Sequence, residues 1–238
     1  MPEKPFQFKE FTILQDKCAM KVGTDGVLLG AWAAIAPGVE SILDIGTGTG
    51  LLALQMAQRS EADMIDAVEI EANAFEQAVE NFENSIWSDR LFCYHASLQE
   101  FVQEMDEKYD LIISNPPYFK PASQEIKKER AMARHHKNLS FQELLAASSK
   151  LLSDEGSCAF IIPYAEEQHF LQLAGKTGLH PYRITRVKGN DTTDLKRSLL
   201  QLSKEPEDFK INAFSIELKR HVYTDEYIDL VKDFYLKM

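Results

Sequence analysis

The chain has 238 residues, 45% of them hydrophobic and 26% charged, with a formal net charge of −11, which fits one large α/β domain or a domain with a small appendage. No run approaches the roughly 20 apolar residues that a bilayer crossing needs, and the start MPEKPFQFKEF lacks the basic-then-apolar pattern of a secretory leader. Cys18, Cys93 and Cys158 show neither metal spacing nor an obvious pairing, so a reducing cytoplasm is expected; the acidic balance argues against a generic nucleic-acid coat.

Residues 6–15, FQFKEFTILQ, are aromatic-rich and partly alternating, which predicts a short strand or hairpin. TDGVLLGAWAAI (24–35) predicts an apolar helix with Thr24 or Asp25 as its cap. SILDI (41–45) reads as a buried strand, followed by GTGTG (46–50) and the helical LLALQMAQRS (51–60). MIDAVEI (64–70) predicts a second strand and EANAFEQAVENFENS (71–85) an amphipathic helix, with further strands at LFCYHAS (91–97) and YDLIISN (109–115). Ser140 and Glu143 form a capping-box pattern that opens a helix, with Gly156 as its stop. SCAFIIP (157–163) is the next strand and YAEEQHFLQLAGKTG the next helix. Segments near 179–187 and 209–220 look like a closing antiparallel pair joined by a polar connection. This alternation predicts an α/β fold, doubly wound around a mostly parallel sheet. One domain, 1–238, is expected, with 1–38 as an N-terminal extension carrying a hairpin and a helix and 39–238 as the core.

Two turns carry chemistry. LDIGTGTG (43–50) joins the first buried strand to its helix, where open α/β sheets bind ligands, and its glycines permit close backbone approach. The spacing is G-x-G-x-G, unlike the G-x-G-x-x-G of dinucleotide sites, which disfavours an NAD-dependent oxidoreductase. Glu69 ends the second strand about twenty residues later, where an acid can accept both hydroxyls of a ribose. The second turn is SNPPYF (114–119). Prolines have no N–H to give a sheet, so the strand must end there, either as a plain terminator or as a rigid corner rich in hydrogen-bond acceptors.

Together these motifs resemble the class I S-adenosylmethionine-dependent methyltransferases over roughly residues 40–163. The resemblance implies a seven-stranded Rossmann-like sheet with an antiparallel C-terminal strand and S-adenosyl-L-methionine as cofactor. It places Asp44, Gly46, Gly48 and Gly50 at the methionine end of the cofactor, Glu69 on its ribose, and Ser97 near its adenine, where the family often has an acid. N-P-P-Y is the family's signature for methylating a planar nitrogen, so Asn115, Pro116, Pro117 and Tyr118 become the catalytic candidates, with Asn115 also bordering the cofactor. An exocyclic amine is a poor nucleophile because its lone pair is delocalised. The Asn115 oxygen and the Pro116 carbonyl each accept an N–H, and Tyr118 stacks on the base.

CAMKVGTDGVLLGAWA (18–33) and LIISNPPYF resemble one branch closely, the bacterial tRNA adenine-N6 methyltransferases that modify position 37 of a valine tRNA. There the segment before the glycine turn closes over the cofactor, which nominates Lys21, Thr24 and Asp25; an ordinary helix start explains the same residues equally well. The stretch 120–138 holds six Lys or Arg against two Glu. Lys120, Lys127, Lys128, Arg130 and Arg134 are therefore candidate RNA contacts, joined by Arg197 in KRSLLQLSK (196–204), which resembles a basic turn leading into a late strand in that branch. The partner implied is the anticodon loop of a tRNA, with neither a membrane nor an obligate protein partner. No metal is expected, since His135 and His136 lack further ligands at suitable spacing. Guanine-N2 methylation of ribosomal RNA and protein glutamine methylation also use an N-P-P corner and stay open, as does an inactive RNA-binding protein that kept the fold.

Overall fold

A computed structural model describes residues 4–117, 139–206 and 208–238. The expected N-terminal hairpin is present as β1 (Phe6–Gln7) and β2 (Thr12–Ile13), followed by α1 (Thr24–Trp32). The alternating core then runs β3 (Ser41–Ile45), α2 (Leu51–Arg59), β4 (Met64–Glu69), α3 (Ala72–Glu83), β5 (Leu91–His95), α4 (Leu98–Glu104) and β6 (Tyr109–Ser114). Beyond the undescribed stretch come α5 (Phe141–Leu151), β7 (Leu152–Pro163), a 3-10 turn at Tyr164–Glu166, and α6 (Glu167–Lys176). The chain closes with β8 (His180–Asn190), β9 (Leu195–Ser203), β10 (Lys210–Lys219), β11 (Val222–Tyr223) and α7 (Asp225–Val231).

One sheet of nine strands has the order β11-β10-β8-β9-β7-β6-β3-β4-β5. Seven of these, β5 through β8 in that order, form the expected Rossmann-like sheet, with β9 antiparallel to both neighbours. Strands β10 and β11 lengthen it by two. The closing pair predicted from 179–187 and 209–220 is corrected: β8 and β10 run parallel, and β9 is the antiparallel partner of β8. The apolar stretch SLLQL buries residues 198–202 completely, so what read as a polar connection contains an interior strand. Gly156 is a second correction. The helix ends at Leu151, and Gly156 lies within β7, where an added Cβ would stand 2.7 Å from Ser153 Oγ and 3.0 Å from the Asp110 carbonyl. It is there because β6 approaches closely, beside the register shift between Tyr109 and Leu111.

Alternate residues of the central strands feed two cores. Ile42, Ile65, Leu111 and Ile113 pack with α1, α2, α3 and α7; Leu43, Ile45, Ile112 and Phe160 pack with α4, α5 and α6. The N-terminal extension shares the first core through Phe8, Phe11, Ile13, Val27 and Leu28. Its end is pinned on β8, where Arg183 lies 4.2 Å over the Trp32 ring and Trp32 Nε1 donates to Thr185 Oγ1 at 2.9 Å. Helices α1 and α2 touch at Gly30, where a Cβ would fall 2.1 Å from Gln55 Oε1. Gly30→Ala is therefore expected to cost about 1–3 kcal/mol through overpacking, read as a lower midpoint in denaturant unfolding with an unchanged slope.

Candidate active site

The parallel strands β3, β4 and β6 end at one edge, and their termini build the site. Each glycine of the turn after β3 has positive φ, at +71° for Gly46, +58° for Gly48 and +83° for Gly50, a conformation that side chains resist. A Cβ at Gly50 would also strike the Phe82 ring at 2.6 Å, whereas Gly46 and Gly48 have nothing within 4 Å of a Cβ position. The turn is thus packed behind and open in front. The Gly46 and Thr47 amides donate to the Val68 carbonyl at 2.9 and 3.3 Å, which ties the turn to the end of β4.

Asp44 lies beneath the turn and is fully buried. Its Oδ2 accepts from Thr47 Oγ1 at 2.5 Å and from the Ala53 amide at 3.2 Å. Its Oδ1 is buried without a hydrogen-bond partner among the described residues. Burial pushes the carboxyl up to about 7 against the pull of those two bonds, with the nearby Glu69 charge adding to the rise. Glu69 spans two amides, accepting from Gly48 at 2.9 Å through Oε2 and from Glu71 at 2.9 Å through Oε1.

Ser114, fully buried at the end of β6, donates to the Ile45 carbonyl at 2.7 Å. That bond holds the start of the N-P-P corner beside the start of the glycine turn. Asn115 is half-buried, Pro116 buried and Pro117 exposed. A Cβ at Gly26 would lie 2.9 Å from Leu51 Cδ2 and 3.9 Å from Asn115 Nδ2, so the starts of α1 and α2 meet the corner.

The N-terminal candidates separate. Asp25 receives Arg197 Nε at 2.5 Å, a pair that links α1 to β9 and leaves each side chain about one-third exposed or less. Thr24 is exposed and does not cap α1; the N-cap is Gly23, with no side-chain bond. Lys21 is exposed and donates to the Gln15 carbonyl at 2.5 Å. Ser97 caps α4 in a capping box with Glu100, its hydroxyl donating to Oε2 at 2.7 Å. Tyr118, Lys120, Lys127, Lys128, Arg130 and Arg134 lie outside the described residues, as do His135 and His136. Among the described residues no group of three or more His, Cys, Asp or Glu is placed to hold a metal ion.

Two residues of the assembly escape the sequence reading. Asn81 donates to the Thr49 carbonyl at 2.8 Å and to the Leu14 carbonyl at 2.9 Å, and accepts from the Leu14 amide at 2.8 Å. Gln77, one turn earlier, accepts from the Lys17 amide at 2.9 Å. Together they lash residues 14–17 to α3 and to the glycine turn. Their signal is a pair of amides four residues apart on the apolar face of an amphipathic helix.

An open glycine cradle, a buried carboxylate with an unpartnered oxygen and an acid at the next strand end fit a ligand that joins a cation to a ribose. Comparison with known proteins agrees. The methyltransferase small domain matches residues 28–171. The tRNA1(Val) (adenine(37)-N6)-methyltransferase of Christiangramia forsetii is 53% identical over 240 residues, covering all of both chains. That of Flavobacterium psychrophilum is 54% identical over 98% of this chain and all of its own. In fold, a predicted O-methyltransferase of Agrobacterium tumefaciens aligns with a TM-score of 0.69 at 19% identity, covering 88% of this chain and 96% of its own. Pyrococcus horikoshii TYW2 in complex with MeSAdo aligns at 0.58 and 14%, covering 84% and 71%. The chain thus belongs to the methyltransferase small-domain family, in the branch of the tRNA1(Val) (adenine(37)-N6)-methyltransferases.

Proposed function

We infer that this chain is an S-adenosylmethionine-dependent methyltransferase that modifies N6 of adenine 37 in a valine tRNA. The observation that carries the reading is the Ser114–Ile45 bond, which sets an N-P-P corner beside a glycine turn with a buried acid beneath it. When bound, the cofactor supplies an electrophilic methyl group on a positively charged sulfur. Asp44 and the glycines of the turn would hold its methionine end, and Glu69 its ribose. Ser97 offers little toward the adenine, because its hydroxyl serves α4. Lys21, Thr24 and Asp25 follow residues 14–17, which Asn81 and Gln77 lash beside the turn, and would border the cofactor from there.

The Asn115 side-chain oxygen and the Pro116 carbonyl accept the two hydrogens of the exocyclic amine. That aims its lone pair at the methyl carbon and stabilises the positive charge that grows on nitrogen during transfer. The paired prolines hold these acceptors without further ordering cost, so the advantage is mainly alignment. Tyr118 stacks on the target base. No side chain need act as general base, since the proton leaves once nitrogen carries the methyl group.

An adenine beside an anticodon lies in a loop, where unstacked bases can be splayed into a pocket. Lys120, Lys127, Lys128, Arg130 and Arg134 follow the corner directly in the chain and meet the RNA backbone. Arg197 is assigned to the rim of the site through its pair with Asp25. We read residues 1–238 as one methyltransferase domain working in the cytoplasm, where its tRNA is found. Charge reversal of Lys127 and Lys128 together is expected to weaken tRNA binding at least about tenfold, with a shallower salt dependence and unchanged cofactor affinity. A gel shift equal to wild type would remove the RNA role of that stretch. The function itself is tested by methyl incorporation into a valine tRNA transcript, which should be lost when adenine 37 is replaced by guanine.

A further inference from the structure

A charged cluster beside the site has no part in the chemistry above. Tyr164 follows Pro163, the last residue of β7. Strand β7 pairs with β6 in the register Ser114–Phe160, so Pro163 stands as far beyond Phe160 as Pro117 beyond Ser114. Pro163 also pairs with Arg197, the partner of Asp25 at the start of α1. Tyr164 is therefore at the rim of the N-P-P corner. It is half-buried, and the guanidinium carbon of Arg186 lies 5.4 Å from its ring centroid. No other ring packs on it among the described residues.

Arg186 is held firmly. Its Nη2 and Nε donate to Glu167 Oε1 at 2.7 and 3.2 Å, and Nε lies 3.1 Å from Oε2. Ser198 Oγ donates to the same Oε2 at 2.5 Å. Glu167 is only 7% exposed, so the fork is anchored in the protein interior and fixes the guanidinium plane. Arg186 Nη1 makes no hydrogen bond to a described residue, although the side chain is 29% exposed. An aromatic ring beside a fixed guanidinium with donors to spare is the chemistry that recognises an unstacked nucleotide, base on the ring and phosphate on the cation.

We propose that Tyr164 and Arg186 form a second nucleotide subsite, which takes a nucleotide adjacent to the target adenine in a single-stranded RNA loop. The proposal rests on the RNA-methyltransferase reading above. Tyr164 stacks on the neighbouring base and Arg186 Nη1 meets its phosphate, which keeps the loop splayed while the target enters the corner. Steady-state methylation of an anticodon stem-loop by wild type, Tyr164→Ala and Tyr164→Phe tests it. Tyr164→Ala is expected to raise KM for RNA about tenfold, with cofactor affinity and melting temperature unchanged, and Tyr164→Phe to restore the wild-type value. Removing one flanking base as an abasic nucleotide should raise the wild-type KM and erase its difference from Tyr164→Ala, since both changes delete the same contact. Equal KM for wild type and Tyr164→Ala on intact RNA, or an alanine defect that persists on both abasic substrates, overturns the subsite alone. Absence of N6-methyladenosine from the wild-type reaction overturns the subsite and the underlying reading together.

Discussion

Asn115→Ala is expected to leave S-adenosylmethionine binding largely intact and to transfer methyl groups at least about 100-fold more slowly, the usual loss when one preorganised polar partner of a developing charge is removed. The split follows from the architecture. In the proposed reading the principal cofactor contacts come from Asp44, the glycine turn and Glu69, whose positions rest on bonds to Thr47, Ala53, Gly48 and Val68. The position of the corner is set by Ser114 on the Ile45 carbonyl, which alanine at 115 leaves intact. In the proposed reading the substitution removes one acceptor for the amine. Asn115→Asp keeps an acceptor oxygen and should retain part of the rate. Calorimetric titration of the cofactor, with single-turnover transfer of a labelled methyl group, reads both halves. Wild-type turnover by the alanine variant would remove Asn115 from the chemistry.

Asp44 should make both stability and cofactor affinity depend on pH, in opposite senses. Its folded-state value of about 7 lies above the ordinary 3.8 because burial disfavours the charge. Between those values the folded protein holds a proton that the unfolded chain has released. Stability without cofactor therefore falls as pH rises through the window, by up to about 4 kcal/mol, and levels off above it. A bound cation favours the carboxylate, so cofactor affinity should rise over the same interval and plateau above about pH 7. Asp44→Asn removes the ionisation. Denaturant unfolding and cofactor titration from pH 5 to 8 should then both lose this component, with affinity uniformly weaker. Identical pH profiles for wild type and Asp44→Asn would show that Asp44 stays charged throughout.

The central sheet was legible because its strands are buried on both faces and read as continuous apolar runs. SILDI matches β3 to the residue, and YDLIISN overruns β6 only by Asn115. The closing strands were less so: the resemblance of KRSLLQLSK announced a late strand where β9 lies, but the residue pattern did not, because β9 carries Lys196, Arg197, Ser198 and Gln201 among its leucines. Its polar residues are instead satisfied by partners distant in sequence: Ser198 by Glu167 and Gln201 by the Ala34 backbone. Helix α4 was missed although Ser97 and Glu100 repeat the S-x-x-E pattern that located α5. Reading Ser97 for the cofactor obscured its role as a cap.

Within the candidate site, the glycine turn was readable because its positive-φ positions demand glycine, and Asp44, Glu69 and Asn115 stood out because they lie at or beside strand ends. Arg197 was singled out as an RNA contact, but its bond to Asp25 joins two points 172 residues apart. Nothing local in either stretch encodes it. The same holds for the Asn81 and Gln77 lashings and for the Arg186 fork, which exist only once the sheet order has brought distant segments to one edge.

The most direct test is to incubate the purified chain with S-adenosylmethionine and unmodified valine tRNA, digest the RNA and identify the methylated nucleoside by mass spectrometry, with its position mapped in nuclease fragments. The account predicts N6-methyladenosine, confined to position 37. N2-methylguanosine, a methylated adenine elsewhere, or no methylated nucleoside at all would contradict it.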